Sequence, residues 1–90
     1  MFDIIITDTI EKLLTEWVAT PIEINSGLCD YFAMEIQERV PYAKEECSEI
    51  YNAPVGHVWV GYKGRHYDAQ APDGVSDWSQ LPIFLSNDQG

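Results

Sequence analysis

Two short runs, His57 to Tyr62 and Arg65 to Gln70, flank the dipeptide Lys63-Gly64. Strand-forming residues on either side of a two-residue loop containing glycine read as a β-hairpin. No other feature constrains the fold as strongly, because a loop of that length also sets the pairing register. Tyr62 is predicted opposite Arg65, Trp59 opposite Asp68 and His57 opposite Gln70. Directly opposed side chains share a face of the sheet. His57, Trp59, Asp68 and Gln70 are therefore expected on one side, with His57 and Asp68 as diagonal neighbours. A slip of one residue in either strand would put them on opposite faces.

The ninety residues form one domain, 1–90, which buries about two-thirds of its unfolded surface. At 46% hydrophobic and 12% aromatic it is too apolar for a disordered chain. Ahead of the hairpin, Ile10, Leu13, Leu14, Trp17 and Val18 recur at helical spacing. Asp8-Thr9-Ile10-Glu11 resembles a capping box, which predicts a first helix over about residues 8–18, with Asp3 the earliest start and Thr20-Pro21 its end. Asn25-Ser26-Gly27 reads as a turn opening a second helix, which Pro41 stops. Cys29, Phe32, Ala33, Ile36 and Val40 line one face of that helix, so Cys29 falls on the buried side of its first turn. Ser48 to Tyr51 is a candidate edge strand, and Ala71-Pro72-Asp73-Gly74 is expected to turn away from the sheet. Asp77-Trp78 and Leu81 to Phe84 are expected to cover the core, with the last residues frayed. The fold class is α+β, with the Cys29 helix packed on a small antiparallel sheet.

A thiol at a helix start, followed by a strand histidine and a same-face acid, is the arrangement a cysteine nucleophile needs. The thiolate is the attacking species, and a helix N-terminus or an adjacent imidazolium lowers a thiol pKa. Cys29 is the candidate nucleophile, His57 its base, and Asp68 the acid that orients the ring and stabilises its charged form. The Cys29 backbone N–H and the Asn25 side chain are candidate oxyanion donors. Trp59 is a core or site-wall residue, as is Trp78. His66 is a rival base nearer the hairpin tip. Cys47, among acids, has its thiolate disfavoured. The set calls for no metal or cofactor.

Charge carries a second message. Fifteen Asp and Glu against five Lys and Arg give a formal charge of −10. Direct binding to nucleic acid or to anionic membrane is not expected, because both require Lys and Arg against phosphate. The acidity serves solubility or recognition of a basic protein surface, with Glu45, Glu46 and Glu49 as the candidate contact face. Two cysteines make no disulfide framework and no structural zinc site. The first residues have no basic segment ahead of their short apolar run, so no signal peptide is expected, and no stretch is long enough to cross a bilayer. A reducing cytosol is the expected compartment.

Gly27-Leu28-Cys29-Asp30-Tyr31-Phe32-Ala33, Gly56-His57-Val58-Trp59-Val60 and Tyr67-Asp68-Ala69 together resemble the nucleophile helix, histidine strand and acid strand of the papain-like cysteine peptidase superfamily. The likeness is to its smallest members, near the transglutaminase-like and NlpC-like branches, and covers about residues 25–72. The resemblance implies a papain-like core and a hydrolase or acyl transferase acting on amide or isopeptide-type bonds of a protein or peptide. It would use Cys29 as nucleophile, His57 as general base and Asp68 as orienting acid. The chain leaves few residues for a substrate cleft and has no counterpart of the papain oxyanion glutamine. By size and charge alone it also resembles phage-encoded inhibitors, including anti-CRISPR proteins. That likeness implies a non-catalytic acidic inhibitor acting in a host cytosol on a basic nucleic-acid-binding complex.

Overall fold

The structure, a computed structural model, describes residues 4–86. Helix α1 (Ile4–Glu16) leads through Val18 and Ala19 to a short helix α2 (Pro21–Glu23), a π-helical turn (Ile24–Leu28) and helix α3 (Cys29–Arg39). Strand β1 (Lys44–Cys47), helix α4 (Ser48–Tyr51) and strands β2 (Val58–Tyr62), β3 (Arg65–Asp68) and β4 (Ala71–Val75) follow. A 3₁₀ turn (Trp78–Gln80) and helix α5 (Pro82–Ser86) complete the described chain. The four strands form one antiparallel sheet in the order β1-β2-β3-β4. The fold is thus α+β, as expected.

The hairpin register is the predicted one: Tyr62 pairs with Arg65, Gly61 with His66 and Val60 with Tyr67. Lys63 and Gly64 take φ values of 50° and 79°. Two consecutive positive-φ residues mark a loop whose twist matches the flanking strands. Alternation along β2 then divides the sheet. Val60, Tyr62 and Tyr67 join Ile6, Ile10, Leu13, Phe32, Ala33, Ile36 and Val40 in a core beneath α1 and α3. Trp59 faces the other way, into a smaller cluster with Ala71, Leu81 and Phe84. The expectation that the C-terminal segment covers the core holds for Leu81 and Phe84, which are buried. The expected fraying concerns residues beyond those described.

Several boundaries differ from expectation for local reasons. Asp8 to Glu11 lies inside α1 rather than at its start. Burial of Ile6, Ile10 and Leu13 at i, i+4 and i+7 carries the helix back to Ile4, and Asp8 pairs with Lys12 at 3.1 Å. Thr20-Pro21 opens a helix as well as following one. Thr20 Oγ1 accepts from the Glu23 N–H and Glu23 Oε1 accepts from the Thr20 N–H, with Pro21 at the first helical position, where its missing donor costs nothing. Helical backbone therefore reaches Cys29 through a π-helical turn, not an open loop. Ser48 to Tyr51 is a helix, not a strand, and the edge strand is Lys44–Cys47. Ala71 to Gly74 does not leave the sheet: it is part of β4. The strand Arg65 to Gln70 ends at Asp68, because Asp68 Oδ1 accepts the Gln70 N–H at 2.9 Å and turns the chain. Asp68 then pairs with Ala71 across a register shift in β3.

Gly74 holds φ at 78°, and a Cβ there would press on the Tyr67 ring. Gly74→Ala is expected to cost about 2 kcal/mol through left-handed strain and this clash, lowering the thermal midpoint by about 10 °C. Calorimetry on the purified variant checks this, and an unchanged midpoint would show that β4 yields without cost.

Candidate functional site

Cys29 opens α3 immediately after the π-helical turn, at a residue, Leu28, whose φ of −121° and ψ of 13° lie outside the helical region. π-Turns within helices are rare and recur at functional positions. The extra residue lets Asn25 and Cys29 both approach the sheet. Asn25 is buried, and Cys29 is half-buried beside Val58, Val60, Tyr67 and Asp68. Behind the thiol the packing leaves no room for a water molecule, so any reacting group must arrive from the outer side.

His57 stands just before β2 and Asp68 ends β3. Both are buried, and His57 Nε2 lies 2.9 Å from Asp68 Oδ2. The two carboxylate oxygens of Asp68 thus divide their tasks: Oδ1 takes the Gln70 N–H and Oδ2 takes the imidazole. His57 Nδ1 is buried, with no hydrogen bond of ordinary geometry to any group. Its electrostatic partner is the Cys29 sulfur. The imidazole, acting as hydrogen-bonding partner, pulls the Cys29 thiol below the ordinary thiol range. Partial burial and the Asp30 carboxylate oppose this, while the Val58 backbone N–H favours the thiolate. Burial by itself would lower the His57 pKa, but Asp68 and then Cys29 outweigh it and push the value up to about 9. The two shifts are one interaction seen from both ends, and the pair titrates as a unit. The imidazole is the charged member at neutral pH, and its charge favours the thiolate form of Cys29.

Trp59 forms the floor. Its indole stacks on the His57 ring at 5.7 Å and 23°, and Phe84 meets both rings edge-on. The stacked indole fixes the plane of the imidazole, as a site wall would. Its Nε1–H donates to His66 Nδ1 at 3.0 Å, so His66 is committed as an acceptor. That leaves His66 on the far side of Trp59, without a described contact to Cys29. Cys47 ends β1, half-buried and paired across the sheet with Val58, and it has no described contact with His57 or Asp68 side chains.

Asn25 Nδ2 donates to Gln70 Oε1 at 2.9 Å, while its Oδ1 is buried without a partner. A hydrogen-bonded chain therefore runs from Asn25 through Gln70 and Asp68 to His57. Gln70 was expected only to share the face of His57. Its place as the link between the π-turn and the acid had no signal in the sequence, because the bond joins residues 45 positions apart. The three acids of the predicted contact face separate. Glu45 and Glu46 are consecutive in β1 and point to opposite sides of the sheet. Glu49 is on α4 and exposed, and Glu46 accepts the Tyr51 hydroxyl hydrogen bond at 3.1 Å. Among the described residues, no group of acids, histidines and cysteines is placed to hold a metal ion.

Alkylation of Cys29 by iodoacetamide, followed against pH in a Cys47→Ser background, is expected to show a midpoint below the ordinary thiol value. His57→Ala should move that midpoint up to about 8.5 or higher. A midpoint that stays in place on loss of the imidazole would show that the thiol owes nothing to His57. Against this geometry, no protein-family model, curated protein or solved structure matches the chain.

Proposed function

We propose that the protein is a cysteine-dependent hydrolase or acyl transferase for amide or isopeptide-type bonds of a protein or peptide, built on a minimal papain-like core. The observation that carries this reading is the buried His57–Asp68 contact of 2.9 Å with the imidazole charge shared with Cys29. Neither a core cysteine nor a strand-end histidine needs such an arrangement. Burying an ionisable pair costs several kcal/mol of desolvation, which packing alone gives no reason to spend.

The chemistry follows from the groups present. The Cys29 thiolate attacks the carbonyl carbon, a C–S bond forms, and negative charge collects on oxygen. The Asn25 amide, on the π-helical turn ahead of Cys29, is the side-chain donor nearest by position in the chain. As the tetrahedral species collapses the C–N bond breaks, and the imidazolium gives its Nδ1 proton to the departing amine. Asp68 holds Nε2–H throughout, so the ring presents Nδ1 to the sulfur in both directions. Water, or an acceptor amine, then loses a proton to Nδ1 and attacks the thioester, releasing the acyl group and restoring the thiolate. The packed space behind the sulfur favours substrates presented on an exposed, extended segment.

A library of peptide amides and p-nitroanilides tests the reading. Turnover by the wild-type chain should vanish in Cys29→Ala and fall about a hundredfold or more in Asp68→Asn, whose size is conserved. A wild-type rate matched by Cys29→Ala would sink the enzyme assignment.

One observation favours a second reading, in which the same fold is a non-catalytic, phage-encoded acidic inhibitor. The charge of −10 accompanies a site with no cleft behind its thiol. Such a binder would occupy the basic nucleic-acid channel of a protein complex, as some phage-encoded inhibitors do. In a host pull-down, capture should then survive Cys29→Ala and weaken steeply between 50 and 500 mM salt, concentrations chosen to span about 14 to 4 Å of Debye length. Capture lost with the thiol, or indifferent to salt, would exclude that mode.

A further inference from the structure

Gln70 makes two links with different parts of the residue. Its backbone N–H donates to Asp68 Oδ1 at 2.9 Å, and its side-chain Oε1 accepts from Asn25 Nδ2 at 2.9 Å. The first link turns the chain after β3, and any residue but proline would make it. The second needs an acceptor at the end of a side chain of this length. It crosses 45 positions of sequence to reach one buried amide on the π-helical turn.

That amide is only partly used by its contacts in the fold. Asn25 is 5% exposed, and a carboxamide offers one acceptor and two N–H donors. The bond to Gln70 takes one N–H and leaves Oδ1 buried without a partner, with the second N–H uncommitted. Buried polar groups are normally paired, and an apolar side chain would fill the same space at less cost. The unused capacity lies close to the thiol. Asn25 stands four residues ahead of Cys29 across the π-helical turn, and both line the packed space against Val58, Tyr67 and Asp68. Rotation about the Asn χ2 bond is broad and roughly two-fold, so the side chain by itself does not decide which end of the amide faces which way. Gln70 Oε1 decides it: an oxygen accepts from N–H and repels a carbonyl, so it holds Asn25 by nitrogen.

We propose that Gln70 is a positioning residue for oxyanion stabilisation: by holding Asn25 Nδ2 through one hydrogen, it keeps the other N–H available to the charge that develops when Cys29 attacks a carbonyl. The inference rests on the cysteine-hydrolase reading above and names the part that prepares its donor. In the step concerned, the Cys29 sulfur bonds the carbonyl carbon, the π electron pair moves to oxygen, and the Asn25 N–H donates to that oxygen. Gln70 acts only through Asn25.

The test uses N-acetylglycinal, ¹³C-labelled at the aldehyde, with the intact protein in a Cys47→Ser background. The thiolate adds to the aldehyde carbon, the new oxyanion takes the imidazolium proton, and the hemithioacetal is read by ¹³C NMR. Cys29→Ala should give none. Gln70→Met keeps the length and the backbone N–H but removes the acceptor, and it should weaken adduct formation about fivefold, the effect of one hydrogen bond. Asn25→Ala should weaken it by a similar factor, and N25A/Q70M no further than Asn25→Ala alone, because both changes remove the same N–H. The iodoacetamide midpoint of Cys29 should stay at the wild-type value in Gln70→Met, since the backbone contact to Asp68 survives. Dispersed amide signals establish the fold of each variant, with Gln70→Ala as a second form of the same deletion. Equal adduct affinity in wild type and Gln70→Met, additive losses in the double variant, or a midpoint raised as by His57→Ala would overturn the assignment. A wild-type chain that is alkylated at Cys29 yet forms no adduct would instead sink the hydrolase reading, and this inference with it.

Discussion

Lys63 and Gly64 hold positive φ in succession, and the twist of that two-residue turn locks β2 against β3 with Tyr62 facing Arg65. Everything else on the sheet depends on this register. It sends Val60, Tyr62 and Tyr67 toward the helices and Trp59 toward the C-terminal segment, so that each face buries its own cluster. It also brings the end of β3 level with the start of β2, where His57 and Asp68 meet. A slip of one residue would exchange the two faces, leaving both clusters without their large side chains and the imidazole without its acid.

The candidate site occupies the seam between those two clusters. α3 packs on one face of the sheet and Trp59 on the other, and His57 lies at the strand end where both are within reach. From above, the helix start supplies the sulfur. From below, the indole holds the ring plane. This placement explains why the pair is buried without being isolated. Asp68 has a partner for each oxygen, and the charge on His57 is met by Asp68 on one side and Cys29 on the other. Removing either partner from a buried pair of this kind leaves an uncompensated charge, a loss of about 3–5 kcal/mol, so the groups support one another as well as any chemistry they perform.

Trp59 also joins the two regions of the outer face. It stacks on His57 and hydrogen-bonds His66, with Tyr51 and Trp78 stacked or tilted alongside. The imidazole at one end of this aromatic row is held charged by a carboxylate. The imidazole at the other end is held neutral by burial and by an indole donor. Two histidines on one sheet face thus carry different protonation states because their nearest partners differ: an acceptor for His57 and a donor for His66.

Much of this was legible in the sequence because it depends on neighbours along the chain. The hairpin loop fixed its own register, Phe32, Ala33, Ile36 and Val40 declared the buried side of α3 by spacing, and the order of Cys29, His57 and Asp68 followed from those two elements. Local signals failed where two explanations shared one motif. Asp8 to Glu11 has the residues of a cap, but burial of Ile6 carried the helix past it. Thr20-Pro21 marked a helix start as well as a stop. Only the tertiary structure decided that Gln70 would link Asn25 to Asp68 and that Glu45 and Glu46 would part to opposite faces. Those outcomes depend on strand pairing and on contacts between distant residues. Residue identities set which groups are available, but the packing of helix, sheet and C-terminal segment decides which of them come within a hydrogen bond of each other.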